Sequence, residues 1–310
     1  MKIAFVFPGQ GSQSVGMLAP LAGNAAVDDV VRRASAALGQ DLGKLMAEGP
    51  AEELNLTVNT QPCMLTAGYA VFAAWRAAGG SMPDVMAGHS LGEYTALTAA
   101  GALRLEDAVV LVRFRAQAMQ DAVPVGTGGM AAILGLTDEQ VRQACAEAAG
   151  TEVVEAVNFN APSQVVIAGH KAAVERACEA AKRLGAKRAL PLAVSAPFHS
   201  SLLQPASARL RERLAGIELR TPQVPVINNI DVSAETDPAR IRDALARQAA
   251  GPVRWADTIA KMAADGVTHI VEVGPGKVLS GLTRRIAPEV ESLAIADPAS
   301  LHDALARLKA

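Results

Sequence analysis

The run Gly88-His89-Ser90-Leu91-Gly92 sets a serine between two glycines, after the short apolar stretch Val85–Ala87 and before an Ala- and Leu-rich segment that reaches Leu103. Gly-x-Ser-x-Gly between a buried strand and a helix is the spacing of a nucleophile elbow, a sharp turn that exposes the serine hydroxyl. Side chains at the flanking positions of such a turn would meet neighbouring backbone, so glycines stand there. The hydroxyl then sits at a helix N-terminus, whose free N–H groups and dipole favour developing negative charge. The chemistry would be acyl transfer through a serine ester. The bare pattern also arises by chance in small-residue loops, so a structural Ser90 stands beside the nucleophilic one. The strand before it and the helix after it favour the nucleophile.

A serine alcohol needs a base, and the chain has five histidines. His89 lies inside the elbow and should point away from Ser90. His170 opens a helix and reads as a surface or capping residue. His269 lies in a buried strand and reads as a satisfied core histidine. His302, on the last helix, reads as solvated. His199, in "VSAPFHSSL" (Val194–Leu203), follows Pro197 at a junction between two parts of the chain, where a cleft would form. Elimination leaves His199 as the candidate base.

A helix over Leu105–Ala122, turned at about 100° per residue, puts Arg115 at the centre of an apolar face with Ala108, Leu111, Val112, Ala118, Met119 and Ala122. Glu106, Arg113, Gln117 and Gln120 fall opposite, so Arg113 reads as a solvated charge. A guanidinium cannot shed its proton to escape burial and requires an anionic partner or a wet cleft. Two partners remain open from the helix alone: an internal Asp or Glu, or a substrate carboxylate gripped by the planar fork. Gly9-Gln10-Gly11 ends the first apolar strand, where ligand loops gather in α/β sheets; a backbone N–H there and that of Leu91 would make an oxyanion hole.

These residues need a scaffold. Ile3–Phe7 reads as a buried strand stopped by Pro8. Helices are predicted over Asn24–Leu38, Asn59–Ala78 and Leu105–Ala122, with Val85–Ala87 as a second strand. This alternation predicts a parallel sheet with helices on both faces. "PVGTGGM" (Pro124–Met130) reads as a hinge-like loop. There follow strand Ala131–Leu136, helix Asp138–Ala149, strands Val153–Asn158 and Gln164–Ala168, helix Lys171–Leu184 and strand Arg188–Val194. That βαββαβ order predicts an inserted ferredoxin-like small domain. It gives a larger domain of residues 1–124 and 195–310 and an insert of 125–194. The parallel pattern resumes with strand Val224–Ile230, a helix opened by Asp237-Pro238, strand Thr268–Gly276 with its Gly-Pro-Gly turn, and a closing amphipathic helix, Leu301–Leu308.

Bulk properties exclude several classes. The 310 residues are half hydrophobic and 19% charged, with a net charge of −2. Nothing marks a nucleic-acid or anionic-membrane partner. Cys63, Cys145 and Cys178 lie far apart, as buried reduced thiols of a cytoplasmic protein would. No apolar run approaches the roughly 20 residues that span a bilayer, and the N-terminal run is too short for a signal peptide. Ser14 stands where a dinucleotide fingerprint needs its third glycine, "GPGKVLSG" lacks the rest of a P-loop, and no cluster has zinc spacing.

"FVFPGQGSQ", "GHSLGEY", "NFNAPSQVVIAG" (Asn158–Gly169), "SAPFH" (Ser195–His199) and "EVGPGKVLSGL" (Glu272–Leu282) occur in the order found in malonyl-CoA:acyl carrier protein transacylases, which the chain resembles over nearly its whole length. The resemblance implies a hydrolase-like α/β domain with a ferredoxin-like insert. It implies that Ser90 is acylated, that His199 is its base, and that Arg115 binds the free malonyl carboxylate. The N–H groups of Gln10 and Leu91 would form the oxyanion hole. Gln248 matches a glutamine beside the histidine, which this family orients largely through backbone carbonyls. Phe198 matches a position where, in related polyketide domains, Phe accompanies malonyl preference and smaller residues accompany bulkier acyl groups. Malonyl-CoA and acyl carrier protein are the implied partners, in fatty acid or polyketide synthesis, with no metal or redox cofactor and a monomer as the default. A serine thioesterase or esterase, and a CoA-binding module whose serine never reacts, are the alternatives. Lys277, Arg284 and Arg285 are candidates for contact with the acidic carrier, or simply solvated charges.

Overall fold

Five consecutive apolar residues followed by a proline make strand β1 (Ile3–Phe7), buried from Ala4 onward. Such a strand needs cover on both faces, as a central strand of a parallel sheet has. The computed structural model, which describes residues 1–308, provides that cover. The other strands are β2 (Val85–Gly88), β3 (Gly128–Leu134), β4 (Val154–Ala161), β5 (Gln164–His170), β6 (Arg188–Pro191), β7 (Val226–Ile227), β8 (Ala234–Glu235), β9 (His269–Val273) and β10 (Glu291–Ile295). The larger sheet runs β10-β9-β1-β2-β7-β8, parallel except at the β7–β8 edge. In a parallel sheet all carboxyl ends share one rim. Here that rim gathers Pro8-Gly9-Gln10 after β1, His89-Ser90 after β2 and Asn228-Asn229 after β7.

Helix Thr57–Ala77 is buried nearly all round and packs against helices Leu91–Ala99 and Leu105–Asp121. Together with Ala25–Leu38, which Asn24 caps through two backbone N–H groups, they cover one face of the sheet. Helices Trp255–Ala264 and Val278–Ile286 cover the other. The smaller sheet is antiparallel, in the order β4-β5-β3-β6, which is the ferredoxin-like order. Its strands alternate. In β5, Val165 and Ile167 face helices Asp138–Ala149 and Lys171–Arg183. Val166 and Ala168 face Ala118, Met119 and Phe198 of the larger part. The mixed α/β architecture with a mostly parallel sheet is therefore as expected from sequence.

Several boundaries differ. The hinge-like loop Pro124–Met130 is shorter than expected, because Gly128–Met130 already pair with His170–Ala168 in β5. The sixth strand stops at Pro191 instead of Val194, with one further bond from Leu192 N to Met130 O at 2.9 Å. The expected strand Val224–Ile230 shrinks to two residues; Asn228 turns the chain by accepting from Asp231 N at 2.7 Å through its side chain. No helix among the described residues is long and apolar enough to cross a membrane.

Candidate active site

The elbow is sterically enforced. A Cβ on Gly88 would lie 1.9 Å from the backbone of Gly92, and one on Gly92 would lie 2.1 Å from the carbonyl oxygen of Phe7. Both clashes are with backbone of the central strands or the elbow itself, which cannot step aside. Gly92→Ala is therefore expected to cost about 3 kcal/mol or more in stability; a thermal midpoint close to that of the parent would refute this. Ser90 takes φ 51° and ψ −109°, a region that L-residues avoid. Asn229 holds it there. Its Oδ1 accepts from Ser90 N at 2.8 Å and its Nδ2 donates to Gly88 O at 2.7 Å. The turn is thus clamped from the end of β7, the strand next to β2 in the sheet.

Ser90 Oγ and His199 Nε2 are 2.7 Å apart. On its other side the ring meets the main-chain carbonyl of Gln248, 2.9 Å from Nδ1. A carbonyl only accepts, so Nδ1 carries the proton and Nε2 is free to take one from serine. Burial, and then the positive charge of Arg115, push the imidazole pKa down to about 3, against the pull of the carbonyl. The base is consequently neutral and ready across the physiological range. His199 also has a positive φ, 67°.

Arg115 is 1% exposed. Its Nη1 donates to Gln61 Oε1 at 2.8 Å, and its Nη2 donates to Gln248 Oε1 at 2.9 Å and to Ser90 Oγ at 3.1 Å. Its Nε–H has no acceptor among the described residues, and the guanidinium stands 5.3 Å from the centre of the Tyr94 ring. No carboxylate of the described residues lies within 4.0 Å of it. Of the two partners open from sequence, an internal ion pair is therefore not what is found. Glu93, also buried, reaches the arginine only through Gln248, whose Nε2 donates to Glu93 Oε2 at 2.9 Å. Asn229 N donates to the same oxygen at 2.9 Å. Burial pushes the Glu93 carboxyl up to about 7, opposed by those two bonds and by the charge of Arg115.

Gln10 lies exposed beyond β1 and Leu91 opens its helix; neither N–H has a backbone partner among the described residues. Phe198 is buried against Ala118, Met119, Val123 and Leu203. A cleft of about 950 Å³ opens at Gln10 and Ser195 and runs along β3 toward Lys171 and Lys182. Thr57 and Ser195, both in its wall, are hydrogen-bonded, Oγ1 to Oγ at 3.2 Å.

The remaining histidines lie elsewhere. His89 points away from Ser90, its Nε2 2.8 Å from Asn160 Oδ1 and its ring against Trp255. His170 begins a helix and accepts from Val153 N. His269 is satisfied by Thr268 and Glu291, at the start of its strand, and His302 is exposed. The three cysteines are buried and free. Arg113 departs from its reading as a solvated charge: it is half-buried, donating to Gln40 and to Asn59. Lys277, Arg284 and Arg285 are exposed, and Arg285 is tied to Gln164 and Pro162. No group of three metal-ligating side chains occurs among the described residues. Sequence reasoning missed Gln61, Glu93 and Asn229. "GHSLGEY" contains Glu93 and "VPVINNI" contains Asn229, but no local pattern marks two residues 136 apart as partners.

Residues 4–297 match the acyl transferase domain family. A malonyl CoA-acyl carrier protein transacylase of Salmonella typhimurium is 57% identical over 305 residues, 98% of this chain and 99% of that protein. The crystal structure of an acyl-carrier-protein S-malonyltransferase from Burkholderia pseudomallei superposes with a TM-score of 0.97 at 66% identity, covering 99% of this chain and 100% of that one. A malonyl-transacylase solved in complex with a type II PKS acyl carrier protein gives 0.98 at 50% identity, with 99% and 100% covered. On match length and identity together, the chain belongs to the acyl transferase family, among its malonyl CoA-acyl carrier protein transacylases.

Proposed function

We propose that the chain moves a malonyl group from malonyl-CoA to the phosphopantetheine thiol of acyl carrier protein, by a ping-pong route through an ester on Ser90. The observation that carries this reading is the buried guanidinium of Arg115, which has only neutral partners and stands 3.1 Å from the serine oxygen. A cation so placed has no anion in direct contact until a carboxylate docks on it, and malonyl brings one. His199 takes the Ser90 proton as the hydroxyl attacks the thioester. The N–H groups of Gln10 and Leu91 hold the oxyanion, typically worth about 3 kcal/mol per donor. The C–S bond then breaks and the thiol leaves with the proton. The carrier's thiol reverses the sequence with His199 again as base. The cleft that begins at Gln10 receives the thioester arm. No step calls for a metal or redox cofactor.

Intact mass spectrometry after exposure to malonyl-CoA tests this: Ser90 gains one malonyl group and loses it to holo acyl carrier protein. Transfer to water faster than to the carrier would point to a thioesterase, and no gain of mass at all to a non-catalytic module. Residues 125–194 act as a small inserted domain on the larger one of 1–124 and 195–310, a division supported by the separate core of the four-stranded sheet. The working unit is a cytoplasmic monomer.

Phe198 closes the acyl pocket against an α-methyl branch. One added methyl group in an apolar site changes discrimination by about 10–200-fold. Malonyl-CoA should accordingly load faster than methylmalonyl-CoA by that order; equal rates would reject the role. Phe198→Ala should narrow the gap while costing about 3–5 kcal/mol of stability, since the ring is buried in an apolar cluster.

A further inference from the structure

Glu93 belongs to the elbow, yet the transfer chemistry leaves it without a role. It is 2% exposed. Its Oε2 accepts from Asn229 N and from Gln248 Nε2, each at 2.9 Å, while Gln248 Oε1 accepts from Arg115 at 2.9 Å. A buried acid and a buried cation are thus joined through one neutral amide, without touching. At that separation opposite charges still attract appreciably in a poorly solvated interior. Glu93 therefore balances part of the Arg115 charge at a distance, through Gln248 and without an ion pair. A substrate carboxylate that docks on Arg115 adds a second anion to the same small volume. Two carboxylates sharing one cation cannot both stay ionised cheaply, and the one that can change state is the one already linked through Gln248.

We propose that a substrate carboxylate docking on Arg115 displaces the charge of Glu93, the buried acid linked to it through Gln248, so that loading of a malonyl group is coupled to uptake of one proton by Glu93. This rests on the proposed malonyl-serine intermediate. The groups that face Glu93 fit the role. Arg115 approaches from helix Leu105–Asp121, and Tyr94 is its neighbour in the chain. Asp231, from the loop after β7, is itself tied to Arg247. His199, across Ser90, stays neutral through burial and through the charge of Arg115. Burial holds the Glu93 carboxyl up to about 7. A proton is thus exchangeable there near neutral pH. The balance is simple. Acylation breaks the C–S bond, forms the Ser90 ester and sends the serine proton through His199 to the leaving thiol. The proton on Glu93 comes from solvent and is additional.

The test uses the malonyl and acetyl thioesters of N-acetylcysteamine, which carry no phosphate to titrate. The kcat/KM for loading Ser90 is followed from about pH 6 to 9, where it reports ionisations of the free enzyme. For malonyl it should fall above about pH 7, by up to about tenfold per unit, because the ionised Glu93 must first be protonated. For acetyl it should stay level. Glu93→Gln keeps the shape and an acceptor for Asn229 and Gln248 but removes the charge, and should flatten the malonyl profile. In a single turnover at pH 8 an indicator dye should register one proton taken up by the wild-type enzyme with malonyl and none with acetyl. A level malonyl profile in the wild type overturns the coupling. So does a decline shared by acetyl or surviving in Glu93→Gln. Should that variant not fold, the dye measurement decides alone, and absence of uptake refutes the proposal. Failure of Ser90 to gain a malonyl group at any pH is a different result: it strikes the proposed function itself, and the coupling with it.

Discussion

Alanine at His199 is expected to slow malonyl loading of Ser90 by about 10²–10⁴-fold, the usual contribution of a positioned general base. The reasoning is geometric first. His199 Nε2 is 2.7 Å from Ser90 Oγ, and Nδ1 faces a carbonyl that fixes the reactive tautomer. The pH profile adds a second signature. The imidazole works in its neutral form, and its pKa is lowered to about 3. Activity that depends on it is therefore present above that value and lost only as pH falls toward 3. With the acetyl thioester, loading should show no acid limb between about pH 5 and 8. A limb near 6.5, the ordinary value for histidine, would show that the ring is solvated in the working enzyme. A His199→Ala variant that loads at the parental rate would remove it from the mechanism altogether.

Arg115→Ala is expected to change selectivity more than fold. Loss of a buried charge partner costs about 2–5 kcal/mol of binding to the group it held. Loading with malonyl should accordingly drop by about 10²–10³-fold, while loading with uncharged acetyl holds or rises. The fold should survive, because no carboxylate pairs with the removed cation within 4.0 Å among the described residues, and buried Glu93, still bonded to Asn229 and Gln248, can take up a proton. Its lost partners are the neutral oxygens of Gln61, Gln248 and Ser90. Competition between malonyl and acetyl thioesters, read by the mass of the acylated protein, checks the ratio; thermal unfolding checks the fold. A variant that unfolds early yet still prefers malonyl would make Arg115 a structural residue.

How much of this was legible in the sequence follows the range of the interactions concerned. β1, β2 and the elbow were readable because each is local: an apolar run, a proline stop, glycines where backbone crowds. The phase of helix Leu105–Asp121 was enough to single out Arg115 against Arg113 as the buried charge. The order of elements gave the small sheet its topology, since βαββαβ chains have one common solution. The family resemblance supplied what spacing could not, above all Gln248 beside the histidine. What stayed hidden was non-local. Asn229 and Ser90 are 139 residues apart and meet because their strands end at the same rim. The half-burial of Arg113 depends on Gln40 and Asn59, which belong to other helices. Helices Gln204–Ala215, Trp255–Ala264 and Val278–Ile286, and strand β10, were not anticipated. The boundary shift at Asn228 came from a single side-chain hydrogen bond that periodicity does not resolve.

Among the described residues, four that are not glycine have a positive φ: Ser90, Ser163, His199 and Val232. Two of them are the proton donor and acceptor of the proposed chemistry. Backbone held in such regions costs of the order of 1–3 kcal/mol per residue and persists only where the surroundings enforce it. The molecule therefore keeps part of its conformational tension at the two hinges of a proton's path. Selection for thermal robustness alone would favour glycine at both and, in relaxing them, would silence the molecule before it unfolded it.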